Sequence, residues 1–363
     1  MRNIRKLLQK IFKSFFRQVF KIKYGTIIYD KDNLKLKNIT IDLIDNKDII
    51  NFFNEKYKVY NIKNGRIYTD LVESVSIISD NHIIDKVSYQ QINGNLVSSD
   101  KNIALKNGTP RLKKYFSGRI LSLSQGASGH SNYSHWLFDI LPKIKLYREI
   151  YKISDLDFFY LNKLNNFQQE SLKLLGLEKI KVIDSKKFRH IQGDEIICTD
   201  HPSYYKGYIL EQAKNIPDWI IIWLRSEYLK SAEPFTCNNK IFIDRTDGAK
   251  HCQFINNTEV SDFLIKHGFT VYKLEKLNLK KQIYLFNNAK FIIGAHGAGL
   301  SNLAFCKKDT KVIEIRPNNH PNTIYERLSK INNLDYKLIS TDVVSDNNIR
   351  GDIFLDTNLL KDI

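Results

Sequence analysis

Residues 292–302 read IIGAHGAGLSN. A short apolar run, 291–293, leads into Gly294, Gly297 and Gly299, with His296 among them. Glycine this dense means that the backbone turns where a Cβ would clash, or that another group approaches it closely. The spacing is G-x-x-G-x-G rather than the dinucleotide fingerprint G-x-G-x-x-G, and no G-K-[ST] follows as in a P-loop. What remains is a strand that ends, a tight turn, and a helix start near 297–300. Free N–H groups at such a start, together with the helix dipole, make an anion site. His296 then points from the turn toward the same ligand. The alternative is a structural turn with a satisfied histidine.

Outward from this stretch, strands alternate with helices. Residues 240–243, 270–274, 290–293 and 311–315 have strand character; 257–267, 278–288 and 321–331 have helix character, and Gly268 caps the first of these helices. Such alternation implies a parallel, doubly wound sheet, whose ligands bind at the carboxyl ends of the strands. Upstream, 157–161, 167–175 and 179–183 read as one βαβ unit, and Pro217 opens a helix over 217–230. Residues 134–150 read as a helix bent at Pro142, and 25–100 as short strands and turns. The fold class expected is α/β, with two Rossmann-like domains. The boundaries are 1–23 for a helix, 24–232 for the first domain, 233–345 for the second, and 346–363 for a tail packing back on the body.

The chain has 363 residues, 42% of them hydrophobic, and a formal net charge of +17. That balance calls for an anionic partner: nucleic acid, an anionic membrane or a phosphorylated substrate. Arg2, Arg5, Lys6, Lys10, Lys13, Arg17, Lys21 and Lys23 supply close to half of the excess, and no acid precedes Asp30. Ile4, Leu7, Leu8, Ile11, Phe12, Phe15, Val19 and Phe20 recur at helical steps, and Phe16 widens that face. Charges interrupt the segment too often for a transmembrane span or a signal peptide. The pattern fits an in-plane anchor on anionic lipid, or else a helix docked on the protein's own surface. A nucleic-acid binder is disfavoured, because the excess charge sits in this helix and no nucleic-acid module is visible. Cys198, Cys237, Cys252 and Cys306 are widely spaced, so neither a zinc site nor a disulfide framework is indicated, and a reducing cytoplasm is expected.

Three further segments carry chemistry. His135 and Asp139, four apart on a helix, share one face, as a tuned base or a simple hydrogen-bonded pair. After the strand at 240–243, Arg245, Lys250 and His251 cluster where a phosphate could sit, and Asn256 with Glu259 reads as a capping box. Glu314, near the end of an apolar strand, could take the two hydroxyls of a ribose or pair with Arg316. Asp155 and Asp157 form a D-x-D, the short motif of metal-dependent GT-A transferases, but this copy runs straight into a strand.

Taken in order, His135–Pro142, Arg245 with Asn256 and Glu259, Gly294–Asn302 and Val312–Glu314 resemble glycosyltransferase family 61. The resemblance covers about residues 115–340. Where the family has a further arginine before its N-E-x-E segment, this chain has Lys250-His-Cys-Gln-Phe254, and Asn257 replaces the first glutamate. The resemblance implies a GT-B fold, with two domains facing a cleft, and an inverting transfer from a nucleotide sugar to a glycan acceptor with no cofactor or essential metal. It implies a capsule- or lipopolysaccharide-building enzyme on the inner face of a bacterial membrane. Donor-side candidates are Arg245, Lys250, His251, Gly294, His296, Gly297, Ala298, Gly299, Leu300, Asn302 and Glu314. Acceptor-side candidates are Ser131, Asn132 and Trp136. Asp139 is taken as the base and His135 as its partner or a sugar contact, with the reverse assignment open. A degenerate member that binds a nucleotide sugar without turning it over is the other reading, kept alive by the altered 250–257 stretch.

Overall fold

A computed structural model describes residues 2–29, 36–69, 74–124, 132–245, 252–318, 320–344 and 351–361, and the backbone alone for 2–10. The chain forms two compact units. The first is Met1–Asn165 with Lys179–Gln212, and the second is Asn166–Glu178 with Ala213–Ile363. Thus residues 166–178 and 213–232, which precede the joint expected at 233, count with the second unit.

The second unit is built on a five-stranded, wholly parallel sheet. Its order is Thr270–Lys273, Lys240–Asp244, Phe291–Ala295, Lys311–Pro317, Asp335–Thr341. Numbered along the chain, that order is 2-1-3-4-5. The direction of strand addition reverses between the first and third strands, at the edge where open α/β sheets bind ligands. The strands are short apolar runs because both faces are covered. Ile241, Phe242, Ile292, Ile293, Val312 and Ile315 are all buried. The C-terminal tail joins this core: Ile353, Leu355 and Leu360 pack with Phe242, Phe254 and Ile293.

Asn256 explains why the tail stays. Its side chain bonds both backbone groups of Leu355, at 2.9 and 3.1 Å, and donates to Glu259 at 3.0 Å. It makes no side-chain cap on helix Asn257–Lys266, so the expected capping box is instead a clasp on the tail.

The first unit departs from the expected Rossmann-like domain. Its ten-stranded sheet is mixed. His190–Thr199, Lys114–Ser122, Phe158–Leu161 and Lys181–Asp184 run parallel as neighbours. The other side of His190–Thr199 pairs antiparallel with Lys58–Lys63 and Arg66–Thr69. The antiparallel strands come from the first hundred residues, where turns of Asn, Asp and Gly favour hairpins over crossovers.

Arg2–Tyr24 is one helix. Its end is held on the first unit by Tyr24, whose hydroxyl accepts from Lys113 N–H at 3.1 Å and whose ring meets His190 edge-on at 5.0 Å. Ile11, Phe12, Phe15, Phe16 and Val19 are exposed. No helix among the described residues is long and apolar enough to cross a membrane.

Candidate functional site

Two clusters of functional groups lie one in each unit. In the second, the switch point brings Arg245 and the glycine turn together. Strands Lys240–Asp244 and Phe291–Ala295 are hydrogen-bonded neighbours, with Ile243 opposite Gly294, so residues 245 and 296–297 emerge side by side. The Arg245 guanidinium donates to the carbonyl of His296. It fills the space in which a Cβ on Gly297 would stand. Gly297 has φ 162°, ordinary extended backbone, so close approach rather than backbone strain requires glycine here. Gly294 and Gly299 have another reason. A Cβ on the first would press on Ile243 and Leu300 at 3.3 Å, and one on the second would come within 2.9 Å of Leu274. The turn therefore answers to both causes of dense glycine, core packing at 294 and 299 and a cation at 297.

The segment after the turn is a 3-10 helix, Ala298–Phe305, rather than an α-helix. Leu300 and Asn302 are buried. Asn302 donates to Gln282 and to the carbonyl of Gly299, both at 3.1 Å. These two residues shape the turn from beneath. Ala298 is half-buried.

His296 and Glu314 are bound to each other, which fits the satisfied-histidine alternative for the first and neither reading of the second. Glu314 is fully buried, and both oxygens are occupied: His296 Nδ1 lies 2.5 Å from Oε1, and Tyr336 Oη donates to Oε2 at 2.6 Å. It is therefore not a free carboxylate awaiting a ribose, nor does it pair with Arg316, whose guanidinium donates to the carbonyl of Asn322 at 2.5 Å. Its work is to fix the ring of His296, which also packs on His320 at 4.0 Å and Tyr325 at 4.9 Å. Lys250 and His251 lie outside the described residues.

In the first unit, Tyr133–Ile150 is one continuous helical run that follows strand Lys114–Ser122. Asn132 caps it, accepting from His135 N–H at 3.2 Å. Residues Trp136–Ile140 form a wide π turn, closed by Leu141 N–H to the carbonyl of Trp136, just ahead of Pro142. Proline cannot donate to the preceding turn, and the wider turn accommodates it. Trp136 is fully buried, so it belongs to the core and not to the acceptor side. Asn132 is engaged as a cap, and Ser131 lies outside the described residues.

Asp139 sits inside the π turn with both oxygens used. Oδ2 is 2.6 Å from His135 Nδ1, and Oδ1 accepts from Ser203 Oγ at 2.9 Å. Burial alone would raise its pKa, but the hydrogen bond and charge of His135, the nearby His201 and the Ser203 hydroxyl together bring it down to about 2. An ionised carboxylate only accepts, so the proton in the 2.6 Å contact belongs to His135 Nδ1. In the neutral ring that leaves the lone pair on Nε2. The imidazole is 39% exposed and the carboxylate 15%. The geometry fits the reverse assignment that the sequence leaves open, with the Asp139 carboxylate accepting and the His135 imidazole carrying the shared proton. One helical step further on, Lys143 is fully buried, donates to the carbonyl of Leu123 at 3.1 Å, and is pushed by burial down to about 7.

Ser203 and His201 have no counterpart in the sequence reading. They follow strand His190–Thr199, next to Lys114–Ser122 in the sheet. Only that pairing brings them to a helix more than sixty residues earlier. Asp155 and Asp157 are engaged structurally: Arg119 N–H donates to Asp157 at 2.8 Å, and the Arg119 side chain reaches Asp155 at 3.8 Å. No group of three or more His, Cys, Asp or Glu with metal-binding geometry occurs among the described residues.

Residues 133–313 match the family described as Glycosyltransferase 61. The chain is also similar to a beta-1,2-xylosyltransferase of Oryza sativa subsp. japonica, with 36% identity over 64 residues. That stretch is 18% of this chain and spans 12% of the length of the relative.

Proposed function

We propose that this chain, which carries a glycosyltransferase 61 segment over residues 133–313, transfers a sugar from a nucleotide-sugar donor to a glycan acceptor with inversion and without an essential metal. The observation that carries the reading is the Arg245 guanidinium seated against Gly297 at the sheet's switch point. A half-buried cation held against the glycine turn at that edge suits a diphosphate. Without a metal, the departing diphosphate needs such preorganised charge. On the acceptor side, His135 Nε2 takes the proton of the attacking hydroxyl. The acceptor oxygen forms its bond to the anomeric carbon as the bond to the diphosphate breaks. Asp139, held by Ser203, keeps the imidazole in the tautomer this requires. The GT-B arrangement, with the donor bound by the second unit and the acceptor by the first, belongs to this proposal. So does a place at the cytoplasmic membrane face in capsule or lipopolysaccharide assembly, supported by the exposed apolar face of the basic helix.

The test is a thermal-shift panel of UDP-, GDP-, CMP- and TDP-linked sugars, followed by mass spectrometry of the products in excess EDTA. Stabilisation by one nucleotide class, with turnover that survives EDTA, is expected. No shift with any donor, or turnover abolished by EDTA, would refute the reading.

A further inference from the structure

Two consecutive phenylalanines sit on the surface of the first unit. Phe52 is 47% and Phe53 39% exposed. They occupy a tight turn between Ile50 and Lys56, which form an antiparallel bridge. The turn is rigidly built. Asn51 Oδ1 accepts from the N–H groups of Phe53 and Glu55, both at 2.9 Å, and Asn54 adopts the left-handed conformation at φ 61°. Tyr205 completes the cluster. Its ring stacks on Phe53 at 5.3 Å and meets Phe52 edge-on at 5.0 Å. An exposed patch of large rings, held in a fixed turn, marks an interaction surface.

This cluster is fastened to the loop that holds Ser203. Tyr57 Oη donates to the carbonyl of Pro202 at 2.5 Å. Lys58 N–H donates to Asp200 Oδ2 at 2.8 Å, and Asp200 N–H returns to the carbonyl of Lys58 at 3.0 Å. Ser203, which donates to Asp139 at 2.9 Å, is two residues from Tyr205. Two residues span at most about 7 Å. Tyr205 therefore belongs to the same loop that holds Ser203 against Asp139, and the two phenylalanines pack on it.

Charge decides what covers them. Residues 45–58 and 200–206 carry Asp45, Asp48, Glu55 and Asp200 against Lys47, Lys56, Lys58 and Lys206, a balanced set within a chain of net charge +17. An anionic lipid surface gains nothing at this turn. A neutral partner does, because the face of an aromatic ring is electron-rich and the C–H bonds on the less polar face of a pyranose carry the complementary charge. We infer that Phe52, Phe53 and Tyr205 form a stacking platform for a neutral sugar ring of the acceptor chain, adjoining the residue whose hydroxyl His135 deprotonates. The inference rests on the transferase reading above.

The experiment uses the full chain on an array of neutral and acidic oligosaccharides, with phosphatidylcholine–phosphatidylglycerol vesicles in parallel. Wild type is expected to retain neutral oligosaccharides. Phe52→Leu with Phe53→Leu, and separately Tyr205→Leu, lower that retention about tenfold. Tyr205→Phe keeps it. Leucine preserves apolar bulk while removing the ring face, and an unchanged melting temperature shows that the fold is intact. The platform is overturned if wild type retains no neutral oligosaccharide, if the leucine variants retain them as wild type does, or if those variants lose vesicle binding instead. The nucleotide-sugar panel separates the two failures. A donor shift with ring-independent retention removes the platform alone; neither shift nor retention removes both.

Discussion

A carboxylate and an imidazole 2.6 Å apart can serve as base and orienter in either order, and occupancy decides between them. Asp139 has both oxygens engaged and a pKa of about 2, far from what an efficient base needs near neutral pH. His135→Ala is therefore expected to lower kcat by about 10²–10⁴, at least as much as Asp139→Asn, with donor binding unchanged in both. If His135→Ala keeps most of its activity, the base is elsewhere. The same carboxyl contributes to stability with a defined sign. Its pKa falls from 3.8 in the unfolded chain to about 2 in the folded one. The contribution, about 2 kcal/mol, is present in full above the unfolded value and is lost as pH falls through the folded one. In urea unfolding, the gap between wild type and Asp139→Asn should hold from neutrality to pH 5 and narrow below about pH 4.

Elements decide what a glycine is for. At Gly297 a Cβ meets only the end of the flexible Arg245 side chain. Gly297→Ala is therefore expected to leave the melting temperature nearly unchanged while weakening donor affinity about 10- to 100-fold, the order of a lost charge-assisted hydrogen bond. Gly207 is the control. Its φ is 84°, and a Cβ there would run into the backbone carbonyl of Leu96. Gly207→Ala should lower the melting temperature clearly. A Gly297→Ala protein that melts early but binds donor normally would show the turn to be structural only. The parallel sheet that carries this turn was legible in the sequence, because buried parallel strands are short apolar runs and their helices carry local stop signals such as Gly268. The mixed sheet of the first unit was not. Strand His190–Thr199 pairs with Lys58–Lys63 more than 130 residues away, and no local pattern encodes such a partner. The same limit hid Ser203 from Asp139 and Tyr336 from Glu314. It made Trp136 look like an acceptor contact when three-dimensional burial makes it core.

For the whole molecule, the question is where the positive charge acts. About half of the net charge of +17 belongs to the first 23 residues, on a helix whose Ile11, Phe12, Phe15, Phe16 and Val19 face outward. Within the first unit, the described part of this helix is secured near its end by Tyr24. An apolar stripe flanked by lysine and arginine gains from acyl chains and anionic headgroups together, each basic residue adding about 1 kcal/mol near such a surface. Two substitutions separate the two contributions. Phe15→Ser with Phe16→Ser removes apolar burial, and Lys13→Gln with Arg17→Gln removes charge. Both should weaken binding to vesicles containing anionic lipid. Raising salt from 0.1 to 0.5 M should weaken wild type and the phenylalanine variant strongly but the charge variant less, because screening acts only on the electrostatic part. Deleting residues 2–22 should abolish binding while leaving the donor-dependent thermal shift in place, since Arg245 and the glycine turn lie in the other compact unit. Vesicle binding that persists in the deletion would move the membrane contact elsewhere on the protein.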